Sequence, residues 1–178
     1  MKWYVLYTRP HHERVVYERL LRKGFEVYLP LAVVWRQSTG RSRKASIPLF
    51  ARHVFVHSYL EMYAHLELIG IPGVVRLLED PQGEFLVVPE EEIRILRQLS
   101  GAGVPLGRAG YPTEGWHAQV VEGPLRGITG VIREGSQKTL LVPIHALRVS
   151  VTVEISPSQV MPCVDVWGRL TPSHCPTG

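Results

Sequence analysis

The chain has 178 residues, 45% hydrophobic and 20% charged, which is enough apolar content for one large core or two small ones and excludes a disordered chain. No apolar run approaches the roughly twenty residues that span a bilayer. Met1-Lys-Trp-Tyr-Val5 reads into a strand rather than a signal peptide, so a cytoplasmic protein with no membrane association is expected. The net charge of +4 conceals three unlike stretches. Residues 1–57 carry 11 Lys/Arg against 3 Asp/Glu, residues 58–99 carry 3 against 8, and residues 100–178 carry 6 against 5. A basic first third fits a polyanionic partner, or it pairs internally with the acidic middle; composition leaves both open. Cys163 and Cys175 fit neither a disulfide framework nor a zinc-finger spacing and are expected to be reduced thiols.

Trp3–Thr8, rich in aromatic and branched residues, predicts a first strand. Pro10 suits a first helical turn, and His11–Lys23 carries Val16, Tyr17, Leu20 and Leu21 at helical spacing before Gly24, a natural helix stop. Phe25–Leu31 predicts a second strand. The polar run from Arg36 to Lys44 has no apolar period and reads as a mobile basic loop or a hairpin tip. Phe50–Leu60 predicts a third strand, Tyr63–Ile69 a short helix ending at Gly70, and Val74–Leu78 a fourth strand. Pro89 opens a last helix whose first turn holds Glu90, Glu91 and Glu92, where negative charge suits the macrodipole, with Ile93, Leu96 and Leu99 on one face. This order is a split βαβ arrangement, a ferredoxin-like βαββαβ sheet with helices on one face, within an α+β fold.

Gly and Pro dominate 101–115, which predicts a flexible linker between a domain over 1–100 and a second over 116–161. Short β-type runs follow at Ala118–Val121, Gly130–Arg133, Leu140–Ile144 and Arg148–Ile155. The last alternates Val149, Val151, Val153 and Ile155 with Ser150, Thr152 and Glu154, and such strands in so short a stretch predict a small five-stranded β-barrel. Residues 162–178 are expected to be a disordered tail.

Gln119-Val-Val-Glu-Gly-Pro-Leu-Arg-Gly-Ile-Thr-Gly-Val-Ile132 is the most specific string. It reads as strand, turn and strand, with Gly123, Pro124, Gly127 and Gly130 where a tight hairpin needs positive φ or close backbone approach. It resembles the KOW motif of ribosomal proteins and transcription elongation factors, an SH3-like barrel. Upstream, Trp3-Tyr-Val-Leu-Tyr7 and its basic helix, Pro48-Leu-Phe50 leading into Val54-Phe-Val56, Ile71-Pro-Gly-Val74 and Val88-Pro89 resemble in order and spacing the N-terminal (NGN) domain of NusG-type transcription factors. The resemblance covers roughly residues 3–161 and is closer to the specialised RfaH and UpxY types. Where the family continues Pro-Leu-Phe with Pro, a variable residue and Tyr, this chain has Ala51-Arg52-His53.

The resemblance implies a non-enzymatic elongation or antitermination factor. It would bind the β′ clamp helices of RNA polymerase, reach toward the β subunit, and suppress pausing or termination. Tyr4, Leu6, Phe50, His53 and Phe55 are the implied polymerase contacts, with Phe50 expected at the surface. Arg9, His11, His12 and Arg14, and the loop basics Arg36, Arg41, Arg43 and Lys44, are candidates for the non-template DNA strand. The KOW barrel would recruit Rho or a small-subunit ribosomal protein, and a monomer is expected. The rival reading is a KOW-containing, ribosome-associated RNA-binding protein.

No catalytic constellation stands out. His53 and His57 lie on one strand face about 13 Å apart, at roughly 3.3 Å per residue, too far to share a metal. The sequence has no phosphate-binding Gly-rich loop, nucleophile elbow or His-Glu-x-x-His string. Neither a cofactor nor a metal is expected.

Overall fold

The computed structural model describes residues 1–38, 41–112, 115–133 and 138–163, with the side chains of 35–38 and 41–42 outside that description. It divides into two compact units, Met1–Ala32 with Ser46–Leu96, and Val33–Ala45 with Arg97–Gly178.

In the first unit, β1 (Lys2–Thr8) lies at the centre of an antiparallel sheet ordered β2 (Glu26–Tyr28), β5 (His53–Ser58), β1, β6 (Val74–Leu77). A two-residue β7 (Val87–Val88) also pairs with β1. Period two decides the faces. Tyr4 opposes Val56 and Leu6 opposes Val54, while Val5 opposes Phe55 and Tyr7 opposes His53. Tyr4, Leu6, Val54 and Val56 join Val16 and Leu20 of α1 (Glu13–Arg22), Leu68 of α2 (Met62–Ile69) and Leu77 in one core. Helix α1 forms because Val16 and Leu20, four apart, share a buried stripe. It stops where Gly24 turns left-handed at φ 84°. Opposite β1, β6 carries an extra residue: Tyr7 pairs with Arg76 and Thr8 with Val74, leaving Val75 in a bulge. Helix α3 (Glu90–Gly101) starts after Pro89 and belongs to this unit as far as Leu96 and to the second from Arg97; Ile93, Leu96 and Leu99 are buried.

The polar run of 36–44 belongs to a two-stranded ribbon, β3 (Leu31–Ser38) with β4 (Arg41–Pro48). Residues 39–40 fall outside the described residues.

The second unit contains a six-stranded antiparallel sheet ordered β13 (Val160–Pro162), β9 (Trp116–Val120), β10 (Thr129–Arg133), β11 (Thr139–Ile144), β12 (Val149–Glu154), β8 (Leu106–Gly110). Strand β8 occupies the stretch that composition assigns to a linker. Pairing with β12 overrides the weak propensity of its glycines, and at Gly107 a Cβ would collide with the Thr152 hydroxyl. On one face Ala118, Val120, Ile132, Leu140, Val142, Ile144, Val151 and Val153 are buried. The alternation of β12 predicts an open opposite face, yet Ser150 is fully buried and its hydroxyl lacks a hydrogen-bond partner.

Two further expectations are corrected at the C-terminal end. Pro162 pairs with Ala118 in β13, and the Cys163 N–H donates to the His117 carbonyl, 2.8 Å. The expected disorder therefore does not hold for 162–163, and the remainder of that tail lies outside the described residues. Cys163 is disulfide-bonded, not a reduced thiol.

Candidate partner and nucleic-acid interface

The face of the first sheet that points away from α1 and α2 concentrates aromatic, imidazole and guanidinium groups. Trp3 stacks on His57 at 4.8 Å between centroids and donates from Nε1 to Glu90 Oε2, 2.6 Å. His57 Nδ1–H donates to Glu26 Oε2, 2.7 Å. Further along β1, Tyr7 meets His53 edge-on at 5.6 Å, the Arg52 guanidinium lies 4.2 Å from its ring centroid and that of Arg76 5.7 Å. Cation and ring attract through the ring quadrupole, worth roughly 0.5–1 kcal/mol where exposed.

The turn into β5 fixes Arg52. Its φ is 67°, its backbone N–H donates to Glu13 Oε1 at 2.7 Å, and its Nε–H donates to the Thr8 carbonyl at 3.0 Å. Glu13, buried at 6% exposure, thus ties the start of α1 to this turn. The adjoining His53 Nδ1–H donates to the Ala51 carbonyl, 2.6 Å.

The structure splits the five residues expected to contact polymerase. Tyr4 and Leu6 point into the core under the helices, because they lie on the opposite face of β1 from the partners of His53 and Phe55. Phe50 is 1% exposed and packs edge-on against Phe55, itself fully buried, at 6.2 Å. The expected surface position of Phe50 is therefore wrong: the ring is large enough that packing on Phe55 and the sheet outweighs the polar surroundings of its turn. Of the set, only His53 reaches the accessible margin of the face. Tyr7, Arg52 and Arg76 lie outside the expected set, although the alternation of β1 places Tyr7 on the His53 face; Arg52 falls on the variable position of the Pro-x-Tyr pattern, and Ala51 and His53 are the departures from it.

The basic residues around α1 stay together. Arg9 is exposed and its backbone N–H donates to the Gly73 carbonyl, 2.8 Å. His11 is exposed at φ 62°, His12 Nδ1–H donates to the Pro10 carbonyl at 2.9 Å, and Arg14 donates to the Ser46 carbonyl at 2.7 Å. Arg43 and Lys44 are exposed on β4; Arg36 and Arg41 lie on β3 and β4 with side chains outside the described residues.

Helix α2 presents a second surface that the sequence reading did not assign. Met62, Tyr63 and Leu66, with Tyr59 just before the helix, are 58–90% exposed. The acidic start of α3 is structural: Arg94 hydrogen-bonds Glu91 and holds its carboxyl below the ordinary glutamate value. No group of three or more metal-ligating side chains occurs among the described residues, nor does a helix long and apolar enough to cross a membrane.

In the second unit, Gly123 (φ 81°) and Gly127 (φ 90°) flank the turn between β9 and β10. At Gly130 a Cβ would stand 2.5 Å from the Leu141 carbonyl oxygen, so only glycine fits that close approach. Gln98 Nε2 donates to the carbonyls of Pro124 (3.2 Å) and Arg126 (3.0 Å), holding the turn against the end of α3.

These features define an α+β protein whose first unit exposes an aromatic and basic sheet margin and an apolar helix surface. The NusG family model, described as transcription termination factor nusG, matches residues 1–97, and the chain belongs to that family of transcription factors. A solved structure of Thermotoga maritima NusG, on domain interaction in that protein, shares the fold at TM-score 0.54 and 21% identity, covering 89% of this chain and 95% of that one. An MjSpt4:Spt5 complex, conformation B, aligns over 90% of this chain and 95% of that one at 16% identity, but its TM-score of 0.32 is too low to bear on the fold. No curated protein matches the sequence.

Proposed function

We propose that this protein is a non-enzymatic transcription elongation factor that binds RNA polymerase at the β′ clamp helices and suppresses pausing or termination on particular operons, in the manner of the RfaH and UpxY types. The match of residues 1–97 to the NusG family carries the reading. The accessible margin of the first sheet, His53 with Tyr7, takes the clamp, and the apolar strip of α2 takes the β subunit across the cleft. Arg9, His11, His12 and Arg14 face the non-template strand, with Arg36, Arg41, Arg43 and Lys44 as further phosphate contacts. Binding that is stronger in the closed, elongating state shifts the polymerase population toward it without any chemical step.

In this reading the ferredoxin-like domain over 1–100 serves the polymerase. The second unit, whose sheet begins at β8 and whose turn holds Gly123, Pro124, Gly127 and Gly130, is a KOW module for Rho or a small-subunit ribosomal protein. The protein acts in the cytoplasm as a monomer. The test is in vitro transcription on a long template with and without the protein, scoring pausing and termination. Fewer pauses and more read-through are expected. Recovery of ribosomal RNA without polymerase subunits in a pull-down would reject the reading in favour of a ribosome-associated role.

A further inference from the structure

The corner of the first sheet around Tyr7 holds more positive charge than the fold uses. Arg52 and Arg76 both lie over the Tyr7 ring, and Arg9 is two residues along the same strand exit. Among the described residues none of these three arginines has a carboxylate within ion-pair distance, whereas Lys23 pairs with Glu67, His57 with Glu26 and Arg94 with Glu91. The carboxylate of Glu13 is committed elsewhere: it accepts the Arg52 backbone N–H and is buried. Arg52 places one nitrogen on the Thr8 carbonyl, which leaves the outer edge of its guanidinium fork open.

We propose that this corner is a docking site for an acidic segment of a protein partner, in which a carboxylate enters between the Arg52 and Arg76 guanidiniums and a neighbouring apolar side chain lies against His53 and Val75. The proposal rests on the polymerase-binding reading and specifies the chemistry of the partner surface it requires. A planar fork stacked on an aromatic ring is pre-organised for bidentate carboxylate recognition, because its rotamer freedom is already reduced. A nucleic-acid strand suits the corner less well. The Tyr7 face on which a base would stack is occupied by guanidinium groups, and Val75, in the β6 bulge beside Arg76, is 50% exposed and apolar. A mixed carboxylate and hydrocarbon surface complements both features. The corner also includes a position where this chain departs from its family pattern: His53 stands where Pro-x-Tyr has Tyr, while Arg52 falls on the variable position.

The test uses the full-length protein with two probes, bacterial core RNA polymerase and a single-stranded DNA of about 20 nucleotides, long enough to cover such a surface. The Arg52→Gln/Arg76→Gln double variant should bind polymerase about tenfold or more weakly, the scale on which close interfacial charge pairs act. Its DNA affinity should stay close to the parent's, and its melting temperature should fall by a few degrees at most, because the Arg52 bond to the Thr8 carbonyl and the two ring contacts are lost. An Arg52→Lys/Arg76→Lys variant, which keeps charge without the fork, should recover only part of the loss. If the double Gln variant loses DNA affinity while polymerase binding is intact, the corner is a phosphate site and the proposal is overturned. Unchanged binding to both probes overturns it as well, while leaving the polymerase reading standing. Failure of the parent protein to bind polymerase at all would instead remove the reading beneath it.

Discussion

Gly73 connects the most specific turn of the first unit to its nucleic-acid candidates, and replacing it tests that connection. It sits at φ +106°, and a Cβ there would stand 2.9 Å from Val16 Cγ2 and 3.2 Å from His12 Cδ2. Forcing an L-residue into that backbone region costs roughly 1–3 kcal/mol. Over-packing against a buried valine adds roughly 1–3 kcal/mol. Gly73→Ala should therefore destabilise the unit by about 2–6 kcal/mol, a melting shift of roughly 4–24 °C at about 2–4 °C per kcal/mol for a chain of this size. Thermal unfolding of the full chain measures the shift, and hydrogen exchange at the α1 amides assigns it to this unit. The two contributions separate in a double-mutant cycle: Val16→Ala should cost about 1 kcal/mol less in the Gly73→Ala background than in the parent, because the smaller side chain at 16 relieves the collision. A Gly73→Ala protein melting within about 1 °C of the parent would refute the steric argument, since even the backbone cost alone exceeds that. The Arg9 N–H bonds the Gly73 carbonyl, so binding of single-stranded DNA should weaken alongside.

Phe50→Ala should remove about 3–5 kcal/mol of stability, seen as a large drop in melting temperature; an unchanged melt would return the ring to the surface. Gly130→Ala should separate β10 from β11, since its Cβ meets backbone, and the slow-exchanging amides of those strands should be lost. Gln98→Ala removes two hydrogen bonds to the 122–127 turn, about 1–2 kcal/mol, and should speed hydrogen exchange there. Arg14→Ala should reduce the log–log salt slope of DNA binding by about one if the side chain meets one phosphate. The Glu91 carboxyl is held below its ordinary value by its hydrogen bond from Arg94. Its contribution to α3 is thus present above the ordinary glutamate range and is lost as pH falls through the lowered value, a dependence that circular dichroism should find missing in Arg94→Ala.

Elements that bury a face announced themselves in the sequence. Val16 and Leu20 marked α1, Val54 to Val56 marked β5, and Ile93, Leu96 and Leu99 marked α3, because burial demands apolar residues at a fixed period. The polar run of Arg36–Lys44 carries no apolar period, so the strands β3 and β4 could not be read from it. Strand β8 exists through its ladder to β12, and β7 and β13 are two and three residues long, too short for any pattern. Of the candidate nucleic-acid residues, the basic set around α1 stays together because local sequence holds it so. The site was illegible on the sheet, where the facing of Tyr4 and Leu6 against Tyr7 depends on register, and where the left-handed Arg52 is fixed by Glu13 from 39 residues away.

The margins of the first sheet bear on how the protein keeps to itself. One outer strand, β2, has three residues, and the other, β6, has four and is broken by the bulge at Val75. A strand from another chain needs a run of evenly spaced, unpaired amides to zip onto, and neither margin supplies one. Crowded or nascent copies therefore have no ladder to extend, and aggregation by strand addition is blocked at this sheet. Partners must be gripped by side chains, so affinity here can be tuned one substitution at a time without altering the backbone that carries it.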